Sequence, residues 1–393
     1  MLMDMNKTNL ILAIILLVMA GCGEGKQSTD DLIIVDVTKS YSSKKELILQ
    51  DFMDVEYIVL ETNDEFLNQG FVWAIGKNHL LVTNQSVYVS GDIFVYDRTG
   101  KALQKFNRKG QGPEEYLLSF GLMLDEENNE IYVHSLPEKK IQVYDLYGNY
   151  KRSLQYKENN NGMSYSEIAI YDKDNLICYD KFNNNGEFVL ISKEDGRITQ
   201  IIEIPSKDTE IYKVIDRDGG HVTVGPDYVR GIYQNNGRWV LSEVLSDTVY
   251  NLLPDYSLHP YLVKTPSIQS MNPEVFLVLR LLSDRYIFME TVKNEFNYNS
   301  GTGYPKKYLM YDTHEKDYFG YTIYNGDYTT KKEIFLSVLR PVNHEIESWQ
   351  PLEAYQLVED YKKGILKDGK LKEIAATLDE EDNAVIMLVK HKR

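Results

Sequence analysis

"DIFVYDRTGKALQKF" (92–106) and "KIQVYDLYGNYKRSL" (140–154) align without a gap, 48 residues apart. Both carry β-branched and aromatic residues into an acidic turn and then resume as a second strand, the pattern of a hairpin. Asp97 and Asp145 each stand three residues before a glycine, Gly100 and Gly148. A carboxylate there bonds the backbone two residues on, and the glycine takes the positive φ that closes the turn. These aspartates are expected to form turns and not to catalyse. Further copies follow as "EFVLISKEDGRITQII" (187–202), "DTVYNLLPDYSLHPYLV" (247–263) and "KKYLMYDTHEKDYFGYTI" (306–323).

Another strand pair lies upstream of several hairpins: "GLMLDEENNEIYVHS" (121–135), "IAIYDKDNLICYD" (168–180) and "LVLRLLSDRYIFMET" (277–291). Four strands per unit at intervals of about 48 to 60 residues is the mark of propeller blades. "DVEYIVLET" (54–62) and "NAVIMLVK" (383–390) are isolated strands at opposite ends of the chain. Pairing them in one composite blade removes exposed sheet edges. The expected fold is all-β: a six-bladed β-propeller of four-stranded blades over residues 51–393, its ring closed by the N- and C-terminal strands.

Two stretches stand apart from the repeat. "PLEAYQLVEDYKKGIL" (351–366) spaces its apolar residues like a helix face, with Pro351 at the start, and "KLKEIAATL" (370–378) follows as a second helix. A short helical insertion at about 351–378 in the last blade, packed outside the ring, is the expectation. In "NGDYTTKKEIFLSVLRPVNHEIESW" (325–349) the pattern assigns no strand layout to the sixth blade.

The first residues form a targeting segment. Lys7 gives a basic start, "LILAIILLVM" (10–19) an apolar stretch too short for a bilayer of about 30 Å, and "AGC" (20–22) small residues before a cysteine. The arrangement resembles a bacterial lipoprotein signal. That implies cleavage after residue 21, acylation of Cys22, and a lipidated tether and lead-in over 22–50. Gly23 after the cysteine and the Asp30–Asp31 pair imply an outer-membrane lipoprotein exposed at the cell surface. With Cys22 lipidated, Cys178, the only other cysteine, has no intrachain partner and reads as a small buried hydrophobe.

Acids outnumber bases 59 to 43, and no run of Lys or Arg interleaves with aromatics. That excludes a nucleic-acid partner. The stretch "FNRKGQGPEEY" (106–116) has glycines after a strand, yet no Lys-Ser/Thr and no helix follow, so it is not a phosphate loop. It connects the outermost strand of one blade to the innermost strand of the next, and over 92–154 it resembles the blade junctions of NHL-type propellers. "DVEYIVLET", "FNRKGQGPEEY", "LICYD" and "LDEEDNAVIMLVK" together resemble the six-bladed propeller lipoproteins of gut-dwelling Gram-negative anaerobes, a family largely without assigned function.

That resemblance implies a ligand face made by blade junctions and by loops between second and third strands. There it places Arg108, Lys109, Glu114, Glu115 and Tyr116, with Asn183 and Asn184 from "KFNNNGEF" and Tyr298 and Tyr304 from "KNEFNYNSGTGYP". Aromatic planes beside amides and carboxylates suit sugar rings or peptides. Thirty tyrosines are also simply what high β propensity brings. The seven histidines show no HxH or HExxH spacing, no serine sits in a G-x-S-x-G elbow, and Glu114 and Glu115 point to opposite sides of an extended chain. No catalytic residue, metal or cofactor is assigned. The expected function is a membrane-anchored recognition module for a glycan or peptide, or a part of an envelope uptake complex. The alternatives are a lyase or hydrolase with a site assembled across blades, and an envelope assembly scaffold.

Overall fold

The computed structural model describes residues 32–41, 43–84, 91–156, 165–180, 186–206, 211, 213–217, 220–225, 230–235, 237–295, 303–336 and 346–392. Cys22 and the signal segment lie outside them. The first elements of the described residues are β1 (Ile33–Asp36), β2 (Lys44–Ile48), a single helical turn α1 (Leu49–Phe52) and β3 (Met53–Val59). Sheet one follows as β4 (Phe71–Ile75), β5 (His79–Thr83), β6 (Asp92–Asp97) and β7 (Ala102–Asn107). Sheet two is β8 (Gly121–Asp125), β9 (Glu130–Ser135), β10 (Lys140–Asp145) and β11 (Tyr150–Gln155). Sheet three is β12 (Glu167–Ile170), β13 (Asn175–Tyr179), β14 (Glu187–Ser192) and β15 (Ile198–Glu203).

A separate hairpin, β16 (Lys213–Arg217) with β17 (Gly220–Val224), precedes sheet four: β18 (Ile232–Asn235), β19 (Arg238–Leu241), β20 (Thr248–Leu252) and β21 (Leu258–Thr265). Sheet five is β22 (Val275–Leu282), β23 (Tyr286–Lys293), β24 (Lys306–Asp312) and β25 (Asp317–Asn325), with β26 (Lys332–Ile334) paired to β25. The chain ends with β27 (Ile346–Leu352), α2 (Ala354–Lys362), α3 (Lys370–Ala375) and β28 (Val385–His391). Sheet six, which closes the ring, has the order β27-β28-β3 among the described residues. Six sheets stand in a ring, a six-bladed β-propeller, and each of the five anticipated hairpins supplies the third and fourth strands of its sheet.

The sheets bury both faces, which is why the middle strands read as nearly continuous apolar runs such as "FVLI" in β14. Leu81, Ile93 and Val95 of sheet one meet Ile131, Val133 and Tyr144 of sheet two. Tyr132, Ile141 and Val143 then meet Leu176, Cys178 and Val189 of sheet three. Fully burying each such side chain contributes about 1.5–3 kcal/mol. Cys178 sits in this layer as a buried hydrophobe, its thiol pKa pushed well up by burial.

The repeated acidic turn does two jobs at once. Asp97 Oδ1 accepts the N–H groups of Thr99 (2.8 Å) and Lys101 (3.0 Å), and Asp145 Oδ1 those of Tyr147 and Asn149 (both 2.9 Å). Gly100 and Gly148 then take φ of +89° and +80°. Each glycine also leans on the outer strand of the preceding blade. A Cβ on Gly148 would lie 2.4 Å from the Phe106 ring of β7, and one on Gly100 would lie 2.0 Å from the Val59 carbonyl of β3. In the first two hairpins the repeated turn is thus also a repeated blade-to-blade contact, and β3 serves the closing sheet as its outer strand.

Closure follows the expected route. All seven residues of β28 pair antiparallel with β3, from Val385 opposite Val59 to His391 opposite Met53. Asn383, buried, fastens the seam: its amide donates to the carbonyls of Glu61 (2.9 Å) and Phe66 (2.8 Å), and its oxygen accepts the Asn68 N–H (2.8 Å).

Two features differ from the sequence reading. The lead-in before residue 51 is built into the propeller: β1 lies beside β21 and β2 pairs in parallel with β25, so the segment covers the outer edges of sheets four and five before β3 enters the closing sheet. The Val37 N–H donates to Thr265 O (2.8 Å), and Tyr41 stacks on Tyr318 at 5.3 Å. Open edges with unpaired N–H and C=O groups are the physical reason such short segments dock. Pro351 does not start a helix but belongs to β27, opposite Ile386. Among the described residues β27 is the edge of its sheet, where a missing N–H is tolerated. The helices begin after Glu353, and Leu357, Leu371 and Ile374 pack beside Val385 and Tyr57 of the closing sheet.

Candidate functional site

The corner 108–116 runs from β7, the outermost strand of sheet one, to β8, the innermost strand of sheet two. Its backbone is held from below by core side chains. Gln142 Nε2 donates to the carbonyls of Pro113 (3.0 Å) and Glu115 (2.8 Å), the Tyr144 hydroxyl donates to Glu114 O (2.7 Å), and the Tyr116 hydroxyl donates to Gly91 O (2.6 Å). Glu115 folds back so that its carboxylate accepts the Gly112 N–H at 2.8 Å. Arg108 Nε reaches Gly148 O at 2.9 Å. What remains outward is the exposed side of Arg108, Lys109 and Glu114 on a rigid corner.

The structure withdraws two expected contact residues from any ligand face. Tyr116 is 1% exposed and packs among Phe106, Leu122 and Tyr144, and its raised pKa, about 12, comes first from burial. Tyr304, 6% exposed, lies in the layer with Val244, Phe276 and Val292, away from the 108–116 corner. Both are tyrosines whose ring area the blade interfaces need more than any surface does. Asn183, Asn184 and Tyr298 fall outside the described residues. Among the described residues no three of His, Cys, Asp and Glu come together as a metal site.

His134, near the junction end of β9, is 3% exposed with its Nε2 2.9 Å from the Tyr156 hydroxyl. Burial pushes its pKa down from 6.5 to about 3. The unfolded chain therefore takes up a proton as pH falls through 6.5 while the folded chain does not, so stability present above pH 6.5 is lost below it. The expected slope reaches about 1.4 kcal/mol per pH unit between pH 6.5 and 4.5. Urea midpoints at pH 7.5 and 5 check this: His134→Gln, which keeps a polar group for Tyr156, flattens the difference, and an unchanged difference refutes the assignment.

On the opposite face, sheets five and six leave a cleft of about 420 Å³ that the sequence reading did not foresee. The β22–β23 turn brings Asp284, Arg285 and Tyr286, α1 brings Asp51 and Phe52, and Lys392 follows the end of β28. Phe52 stands edge-on to Tyr286 at 5.3 Å, and the Arg285 guanidinium covers the Tyr286 ring at 4.9 Å. Arg285 is fixed by Asp312, which accepts its Nη2 at 3.0 Å and Lys45 Nζ at 3.1 Å. Burial alone would raise the Asp312 carboxyl, yet the bonds from Arg285 and Lys45 outweigh it and hold it at about 2. These residues come from three distant stretches that only ring closure unites. No periodicity or spacing marks them.

The sequence profile of a family described as "Domain of unknown function (DUF4934)" matches residues 32–390, the whole propeller. The chain belongs to the DUF4934 family. No curated protein matches it. Among solved structures, this DUF4934 chain is similar to a Bacteroides fragilis protein described as exported, with 16% identity, a TM-score of 0.56, and 92% of this chain and 99% of that one covered. It is also similar to a member of the DUF4221 family from Bacteroides vulgatus (10% identity, TM-score 0.46, 87% and 100% covered) and to virginiamycin B lyase from Staphylococcus aureus (10%, 0.36, 86% and 100%). At 16% identity the likeness of the DUF4934 chain to the Bacteroides fragilis protein is one of fold.

Proposed function

We propose that this DUF4934 propeller is an exported lipoprotein of the outer membrane, held by acyl chains on Cys22 and exposed at the cell surface, that recognises a glycan or peptide through its blade-junction face. One observation carries the recognition reading. The 108–116 corner is pinned by hydrogen bonds from Gln142, Tyr144 and Tyr116 while the Lys109 and Glu114 side chains stay exposed. Rigid backbone under outward polar groups lowers the ordering cost of binding. The likeness to a Bacteroides fragilis protein described as exported supports export, and the small residues before Cys22 support the anchor.

Two measurements test this reading. Fractionating cells that express Cys22→Ala is expected to move the protein from the membrane to the soluble exported fraction, and an unchanged membrane yield overturns the anchor. Arrays of glycans and peptides probed with the full chain are expected to show saturable binding that Lys109→Ala with Glu114→Ala weakens at least tenfold at an unchanged melting temperature. Binding indifferent to that pair removes the junction face from the proposal.

A further inference from the structure

We propose that the cleft between sheets five and six is a second binding site, one that takes a single neutral sugar ring. It lies on the face opposite the junction corner and stands whether or not that corner binds anything. Its volume, about 420 Å³, falls within the usual range for small-molecule sites, about 300–1,000 Å³.

The chemistry of the lining selects the ligand. Phe52 is half-buried at the cleft and stands edge to face at 5.3 Å on Tyr286, which is itself 7% exposed and covered by Arg285, so the Phe52 ring offers the apolar wall. Around it stand groups of both signs: the carboxylates of Asp51 and Asp284, the guanidinium of Arg285 and the ammonium of Lys392. Two carboxylates and two cations balance, so a ligand of either charge meets a repelling group for each attracting one and gains little net attraction. Hydroxyl groups both donate and accept. A neutral pyranose can therefore donate hydrogen bonds to the two carboxylates and accept them from the two cations while its C–H face covers the Phe52 ring.

The site is also pre-organised, because the Asp312 carboxylate clamps Arg285 while the Arg285 guanidinium packs over Tyr286 at 4.9 Å. Lys392 is tethered likewise, its Nζ donating to the Asp51 carbonyl at 2.9 Å. A guanidinium held in place by a buried carboxylate loses little rotamer freedom when it binds, which is the condition for useful affinity in a shallow site.

Saturation-transfer NMR on the full chain, with methyl glycosides of neutral hexoses, their uronic-acid and amino-sugar counterparts, and short neutral oligosaccharides, tests the assignment. At least one neutral glycoside is expected to bind saturably and at least tenfold more tightly than its charged counterparts. Asp51→Asn with Asp284→Asn, both exposed positions, should weaken it at least tenfold at an unchanged melting temperature, whereas Glu114→Ala should not. Equal binding of free glycosides and oligosaccharides identifies one ring as the unit read, while tighter oligosaccharide binding that the aspartate pair abolishes places that ring at a chain end. Three results overturn the proposal: no neutral glycoside binding to the folded protein, preference for a charged counterpart, or binding lost with Glu114→Ala and kept with the aspartate pair. The last of these would leave the junction reading standing alone.

Discussion

Replacing Arg280 with methionine is expected to cost about 3–5 kcal/mol of stability, the usual penalty when one member of a buried ion pair is removed. Arg280 Nη2 lies 2.6 Å from Glu290 Oε2, and the two side chains are 5% and 0% exposed. The pairing depends on an irregularity in β22: the register slips between Leu279 and Leu281, so Arg280 is the extra residue of a bulge. A bulge re-aims one side chain relative to the regular alternation of a strand. Without the guanidinium, the Glu290 carboxylate stays buried beside apolar neighbours and has to be desolvated alone. Arg280→Met with Glu290→Leu should recover most of the loss, since well-packed apolar pairs often equal buried ion pairs. Urea midpoints of the two variants decide the matter. A single variant within about 1 kcal/mol of the parent would contradict a role for the pair in stability.

The second large effect is expected at Gly100, where alanine should destabilise the ring by about 2–5 kcal/mol. Two terms combine. At φ +89° a side chain costs about 1–2 kcal/mol, and a new Cβ 2.0 Å from the Val59 carbonyl has to push backbone, at about 1–3 kcal/mol. The Gly100 carbonyl also accepts the Glu61 N–H at 2.8 Å, so displacement strains the connection that leaves the closing sheet. Gly237→Ala provides the comparison: its φ is +73°, but nothing lies within 4 Å of its Cβ position, so the conformational term acts by itself. If both variants lose the same amount, the contact between the first turn and β3 contributes nothing.

The behaviour of Gly100 also shows how the fold could be read from the chain. The Asp-x-x-Gly turn stands in sheets one and two because in both the glycine approaches the outer strand of the preceding blade, so one steric requirement is written into the sequence twice, 48 residues apart. Strand pairs, hairpin turns and the burial of Cys178 are local or periodic in this sense, whereas ring closure by β3 and β28 was legible because each end of the chain carries a strand without a blade of its own. The role of residues 33–48 was not legible, because docking on an edge requires only a short extended segment and leaves no period. Pro351 misled for a related reason: a helix start and a strand margin both tolerate a missing N–H, and only the partner strand distinguishes them.

Among candidate contact residues, the sequence identified the 108–116 corner as a blade junction but could not say which side chains face outward. Tyr116 and Glu114 are two positions apart, yet one fills the interface between sheets one and two and the other is exposed. The cleft of Phe52, Asp284 and Arg285 was invisible for a stronger reason, since its members meet only where the ends of the ring come together. The sequence alone determined the repeating unit, because turn chemistry and apolar alternation act over a few residues, and it pointed to closure through the two unpaired strands at its ends. Tertiary structure decided which edges the N-terminal segment covers, which tyrosines are buried and where a cleft opens, because those depend on packing between distant stretches that no local pattern records.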